Sequence, residues 1–171
     1  FIGGILFCFF TSSFALHATE NDDLVKAMME VYAEELAANP QDYRTYYSRA
    51  MAYFGQGDMK KALSDIDNAI KYFPRKEKVD LAQAYLLRAK ILSERGETKS
   101  ALTDLNSALR LVPNHRLALK DRGDLLCRLG QYDMAKIDYN HLLRMDTRSQ
   151  SAFMGLARVE AHTGQPVRAK D

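Results

Sequence analysis

The side chains able to do chemistry are few and poorly placed for it. His17, His115, His141 and His162 are scattered along the chain and form no HExxH pair for a metal. Cys8 and Cys127 lie in segments of opposite character, which argues against a disulfide framework and against a thiolate metal site. No GxxxxGK or GxGxxG loop is present to cradle phosphate, and no GxSxG turn to carry a nucleophilic serine. Asp65 and Asp67 could suggest a metal pair. Residues two apart on a helix diverge, however, so both read as part of a solvated outer face. Cys127 reads as a small packing residue. With no acid–base or nucleophile–base pair to name, these residues point away from an enzyme and imply no cofactor.

Bulk composition narrows the classes further. Lys and Arg number 24 against 22 Asp and Glu, a formal charge of +2 that provides no general attraction to nucleic acid or to an anionic membrane. The 171 residues suffice for one domain with a substantial core. A 47% hydrophobic share rich in Ala, Leu and Tyr, with only four prolines and no Trp, favours helices over sheets.

The start of the chain stands apart. FIGGILFCFFTSSFALHAT carries no charge, and Ala15 and Ala18 place small residues where a signal peptidase cuts. Residues 1–18 therefore read as an export signal, with a short membrane anchor as the alternative, since ~20 apolar residues can just span a bilayer. Residues 19–40 contain one amphipathic helix, Leu24 to Ala38. Asn21, Asp22 and Asp23 supply caps, and Leu24, Met28, Val31 and Leu36 lie near one face. Asn39-Pro40 ends it, and it is expected to act as an N-terminal capping helix for the rest of the chain.

From residue 43 onward the sequence is repetitive. KKALSDIDNAIKYFP, KSALTDLNSALRLVP and MAKIDYNHLLRMDT align on Ala62, Ala101 and Ala135, which are 39 and then 34 residues apart; Ala169 comes after another 34. Ahead of each lies a matched segment ending in Gly57, Gly96, Gly130 or Gly164. Such glycines can take positive φ and turn the chain out of a helix. Pro74 and Pro113 cannot extend the second helix of a pair, so they set boundaries, with Thr147 in the third such place. One hairpin cannot bury its apolar face alone, whereas three or more stacked hairpins can.

From Tyr43 onward the chain resembles the tetratricopeptide repeat (TPR) family, whose 34-residue unit is two antiparallel helices, A and B. The units run 43–76, 82–115, 116–149 and 150–171, the last cut short with Pro166 ahead of its helix B. Counted from each start, the bulky fourth positions are Tyr46, Tyr85, Leu119 and Phe153. The small eighth positions are Ala50, Ala89, Gly123 and Ala157, and the eleventh are Tyr53, Leu92, Leu126 and the divergent Glu160. Helix B supplies Ile66, Leu105 and Tyr139 at the twenty-fourth position, and Ala69, Ala108 and the larger Leu142 at the twenty-seventh. The resemblance implies an all-α, right-handed superhelical solenoid. Five extra residues between units one and two are expected to lengthen the second helix A by about one turn, and the charged run Arg75 to Lys78 to form a solvated loop.

In this family helices A line a concave face. At ~100° per residue, positions two, five, nine and twelve form a stripe separate from the fourth, eighth and eleventh, which fill the core. That stripe is Arg44, Tyr47, Met51 and Phe54, then Gln83, Leu86, Lys90 and Ser93, then Leu117, Lys120, Asp124 and Cys127, then Ser151, Met154, Arg158 and Ala161. Apolar anchors beside Lys90, Lys120 and Arg158 suit an extended or helical peptide of some acidic character. Some TPR proteins hold acidic chaperone tails in a clamp of Lys, Asn and Arg. Here Tyr47, Met51, Leu87, Leu117 and Asp121 stand at those places, so chaperone-tail capture is disfavoured.

The expected role is thus a non-catalytic scaffold in an exported setting. It binds a protein or peptide partner whose identity the residues do not reveal. The alternatives are a helper segment of a larger enzyme or signalling protein, and a self-assembling module that pairs with copies of itself.

Overall fold

The structure, a computed structural model, describes residues 23–164. The expected signal or anchor, the Asn21 and Asp22 caps, Pro166 and Ala169 lie outside them. Eight helices occur in chain order: α1 (23–38), α2 (Tyr43–Gly55), α3 (Met59–Tyr72), α4 (Lys78–Glu94), α5 (Thr98–Leu111), α6 (Arg116–Arg128), α7 (Tyr132–Met145) and α8 (Gln150–Thr163). No strand occurs among the described residues. None of the described helices is long and apolar enough to cross a membrane.

Each helix A ends the same way. Gly57, Gly96, Gly130 and Gly164 have φ between +65° and +78°. In the first three hairpins the residue after the glycine donates its backbone N–H back into helix A: Asp58 to Tyr53, Glu97 to Leu92 and Gln131 to Leu126, at 2.8–2.9 Å. This is the six-to-one bond that satisfies the last orphan carbonyls of a helix. An added Cβ at Gly57 or Gly96 would meet nothing within 4 Å, so the backbone angle alone demands glycine there.

Hairpins α2–α3, α4–α5 and α6–α7 stack in order, each helix B against the next helix A. Ala62, Ala101 and Ala135 are fully buried, as are Ile66, Ala69, Ala108 and Tyr139. The small residues let paired helices approach, and the large ones fill the space between them. Helices A in the middle of the stack are buried on two sides. Besides the expected fourth, eighth and eleventh positions, Ala84, Leu87 and Ile91 of α4 and Ala118 and Leu125 of α6 pack away from solvent. The inserted residues give α4 17 residues against 13 in α2 and α6.

α8 departs from the expected pattern. It buries Ala152, Gly155, Leu156 and Val159 toward the preceding hairpin. Phe153, expected in the core, is 53% exposed, and Ala157 is exposed as well. In the earlier units these positions pack on the unit's own helix B; among the described residues α8 has none. At the other end, α1 is held more lightly than expected. Leu36 is buried and Thr45 Oγ1 donates to Glu35 Oε2 at 2.8 Å, but Leu24, Met28 and Val31 are exposed.

A further repeat runs through the interior. Arg49, Arg88 and Arg122 each grip an aspartate sixteen residues on through two hydrogen bonds of 2.6–2.8 Å: Asp65, Asp104 and Asp138. All three aspartates are buried. Asp65 is therefore an interior ion-pair partner and not part of a solvated face; the helix period carries it inward while Asp67 stays exposed. Arg88 also reaches back to Asp67 of the preceding hairpin at 2.7 Å, and Arg122 to Asn106 at 2.8 Å. Each of these two arginines thus ties its own helix B to the one before. At the corresponding place in α8 stands Leu156, where the series stops.

Candidate partner-binding groove

Helices α2, α4 and α6 present three adjoining concavities along one side of the stack. The first, about 280 Å³, is lined by Tyr43, Arg44, Tyr47, Ser48, Phe73, Asp80 and Gln83. The second, about 370 Å³, shares Tyr47 and Gln83 with it and adds Met51, Phe54, Leu86, Leu87, Lys90, His115 and Leu117. The third, about 350 Å³, shares Phe54 and Lys90 with the second and adds residues including Ser93, Glu94, Asp121, Asp124 and Arg128. The shared side chains make one continuous trough.

Of the candidate residues, Arg44, Tyr47, Met51, Phe54, Gln83, Leu86, Lys90, Leu117 and Asp124 line this trough. Met51 and Leu117 are half exposed and can serve as anchors, at 50% and 53%. Leu86 differs from the exposed stripe expected of it. It is only 5% exposed and belongs to the same buried cluster as Ala82, Ala118 and Leu119, so it forms part of the floor. Cys127 is likewise buried, its Sγ 3.7 Å from the Tyr139 hydroxyl. Lys120, Met154 and Arg158 line none of the three concavities. Lys120 and Arg158 are tied to them through Asp124, while Met154 sits exposed on α8.

Electrostatics differ from what the positive side chains alone suggest. Lys120 Nζ donates to Asp124 at 2.8 Å and Arg158 Nη1 does so at 2.9 Å; Tyr139 donates its hydroxyl to the same carboxylate at 2.8 Å. Burial pushes the Asp124 carboxyl up, but these hydrogen bonds and the two nearby cations outweigh it and leave it below its ordinary value. Lys90 Nζ lies 3.9 Å from Asp121. Three cations that could have drawn an acidic partner already have counter-ions inside the chain, which weakens the case for an acidic ligand.

The expected stripe is also too narrow. Positions six and thirteen contribute Ser48, Leu87 and Asp121, and Glu94 and Arg128. Position thirteen lies only ~40° round the helix from position nine, and position six ~60°. Angular arithmetic could have included both. Among the described residues no cluster of three or more metal-ligating side chains exists.

A stack of antiparallel helix pairs whose inner helices enclose an open trough defines a helical-repeat protein. The family model for the tetratricopeptide repeat matches residues 29–77, 47–116 and 86–140, and the chain belongs to that family. No curated protein matches it by sequence. Among solved structures, a tetratricopeptide repeat protein from Parabacteroides merdae is 28% identical with a TM-score of 0.74, over 89% of this chain and 58% of that one. A crystal structure of MamA is 16% identical with a TM-score of 0.75, over 86% and 83%. The first TPR of Spaghetti (RPAP3) bound to an HSP90 peptide is 20% identical with a TM-score of 0.66, over 73% and 95%.

Proposed function

We propose that the chain is a non-catalytic scaffold that holds a segment of a protein partner along the trough formed by α2, α4 and α6. The observation that carries this reading is the continuity of the three concavities through Tyr47, Gln83, Phe54 and Lys90. A contiguous surface with exposed Met51 and Leu117 is of the kind that soluble proteins keep for a ligand. Support for the mode comes from the Spaghetti (RPAP3) structure, which holds the peptide SRMEEVD on the same fold. The ligand chemistry differs, because Lys90, Lys120 and Arg158 are matched by Asp121 and Asp124. Apolar anchors in an extended or helical segment are what this trough favours.

The test is a crosslinking pull-down with the full chain against a Met51→Asp/Leu117→Asp variant. Both side chains are half exposed, so helicity by circular dichroism should be unchanged while capture falls at least about tenfold. Equal capture by the double variant rejects the trough. Leu86 is unsuitable for this purpose, because a charge at a buried floor position would unfold the site. Residues 1–18 are proposed as an export signal on their apolar run and small-residue ending. Mass spectrometry of the chain from an extracytoplasmic fraction should find it starting at Leu16 or Thr19. An intact apolar leader there would refute cleavage.

A further inference from the structure

The first concavity joins ordinary repeat positions of the first two units to Asp80, a residue that breaks the 34-residue period. The insertion between the first two units supplies the opening turn of α4, which contains Asp80, and Glu77 just ahead of it. Glu77 Oε2 accepts the Tyr43 hydroxyl at 2.7 Å, which fixes that ring in place. The Tyr43 ring in turn lies against Phe73, with centroids 4.3 Å apart and planes tilted by 49°. Tyr47, one turn along α2, completes three aromatic walls around a cavity of about 280 Å³. Asp80 stands on the rim, exposed and without an ion pair among the described residues.

We propose that this pocket takes the guanidinium or ammonium group of an arginine or lysine side chain presented by the protein partner. Ring faces attract cations, the more so when the cation is partly desolvated. The lining carries one carboxylate, Asp80, and one guanidinium, Arg44, whose centre lies 5.2 Å from the Tyr43 ring centroid, while Glu77 stands outside the lining as the acceptor of the Tyr43 hydroxyl. The field of Asp80 reaches the interior. Burial first, and then that negative charge, hold the Tyr47 hydroxyl above its ordinary pKa. A cation meets attraction from the ring faces and from Asp80 and is opposed by Arg44 alone, whereas a carboxylate is repelled by the ring faces and by Asp80. At the next junction α5 and α6 are joined by four residues, the added turn is missing, and Ala82, Leu86 and Val112 stand where Tyr43, Tyr47 and Phe73 do in the first unit. The pocket therefore reads one feature of the partner that the rest of the trough does not.

That a partner protein supplies the cation rests on the scaffold reading above, but the test needs no partner. The probe is the tripeptide acetyl-Gly-Arg-Gly-amide, titrated into the full chain carrying isotope-labelled tyrosine and phenylalanine rings. Its lysine, citrulline and glutamate analogues serve as comparisons. The arginine and lysine peptides should shift the Tyr43, Tyr47 and Phe73 ring signals saturably in the millimolar range. The neutral citrulline analogue should bind at least about fivefold more weakly. Asp80→Asn should weaken the arginine peptide roughly threefold to fivefold, and Arg44→Gln should strengthen it by a similar factor. Both altered residues are exposed, so a folding defect is not expected. Equal binding of the citrulline peptide, tighter binding of the glutamate peptide, or indifference to Asp80→Asn would overturn the assignment. Failure here removes the pocket and leaves the trough standing; failure of the pull-down variant removes the trough and leaves this titration intact.

Discussion

Replacing Arg88 by methionine should be among the most damaging single changes available in this chain. The guanidinium makes three hydrogen bonds of 2.7 Å, two to Asp104 on its own helix B and one to Asp67 on the preceding one. The Asp67 contact is half exposed and contributes at most ~1 kcal/mol. The Asp104 side chain is only 4% exposed, so removal of Arg88 strands a carboxylate where water cannot solvate it, at a cost of about 3–5 kcal/mol. Methionine keeps most of the aliphatic stem, so little of that loss comes from packing. The double variant Arg88→Met/Asp104→Leu removes the stranded charge and should recover to within about 1 kcal/mol of the parent. Urea unfolding monitored by circular dichroism, with a full double-mutant cycle, measures each of these differences. If Arg88→Met costs less than about 1 kcal/mol, or if the double variant is no better than the single, the arginine series is decoration and the reasoning fails.

Three other expectations rest on the same structure. Gly155→Ala should destabilise by about 1–3 kcal/mol, because its Cβ would collide with the Tyr139 ring, and adding Tyr139→Leu should recover part of the loss in thermal unfolding. Gly96→Ala should cost about 1 kcal/mol through its φ of +78° alone, since nothing lies near the new methyl; an equal cost at Gly55, which lies in α2, would contradict a conformational origin. Asp124, with its carboxyl held below the ordinary value, adds stability that is present above about pH 4 and lost as pH falls through its folded value. Asp124→Asn should therefore lower stability at pH 7 and flatten the acid limb of a stability–pH curve; an unchanged limb would refute the linkage.

The hairpin organisation is legible in the sequence because it depends on residues with few alternatives. A positive φ calls for glycine, and close helix approach calls for alanine, so Gly57, Gly96, Ala62 and Ala101 announce themselves by spacing. The buried ion pairs are not legible in this way, although Arg49, Arg88 and Arg122 recur at the same intervals as the alanines. Charged residues are normally assigned to solvent, and only the neighbouring hairpin makes Asp104 an interior group. Leu86 and Phe153 show the same limit from opposite sides. A helix period gives the angle of a side chain, but what lies at that angle is decided by the adjacent helix. For Leu86 it is the next hairpin, and for Phe153 no described helix fills the place. The aromatic pocket is hidden for a further reason: Tyr43, Tyr47 and Phe73 stand at ordinary repeat positions, and the Asp80 rim and the Glu77 acceptor that complete them come from the interruption of the repeat, which a search for regularity discards.

Tyr139 carries one last consequence. Where the first two hairpins place Ile66 and Leu105, the third places a fully buried phenol ring, accommodated by Gly123 in α6 and Gly155 in α8. The three residues belong to two different units, so their identities are locked to one another across a junction. Modular arrays are usually thought of as interchangeable bricks, but this joint is keyed. Duplicating, deleting or transplanting the third unit would part the ring from one of its glycines, and evolutionary shuffling of this array should have left that seam intact.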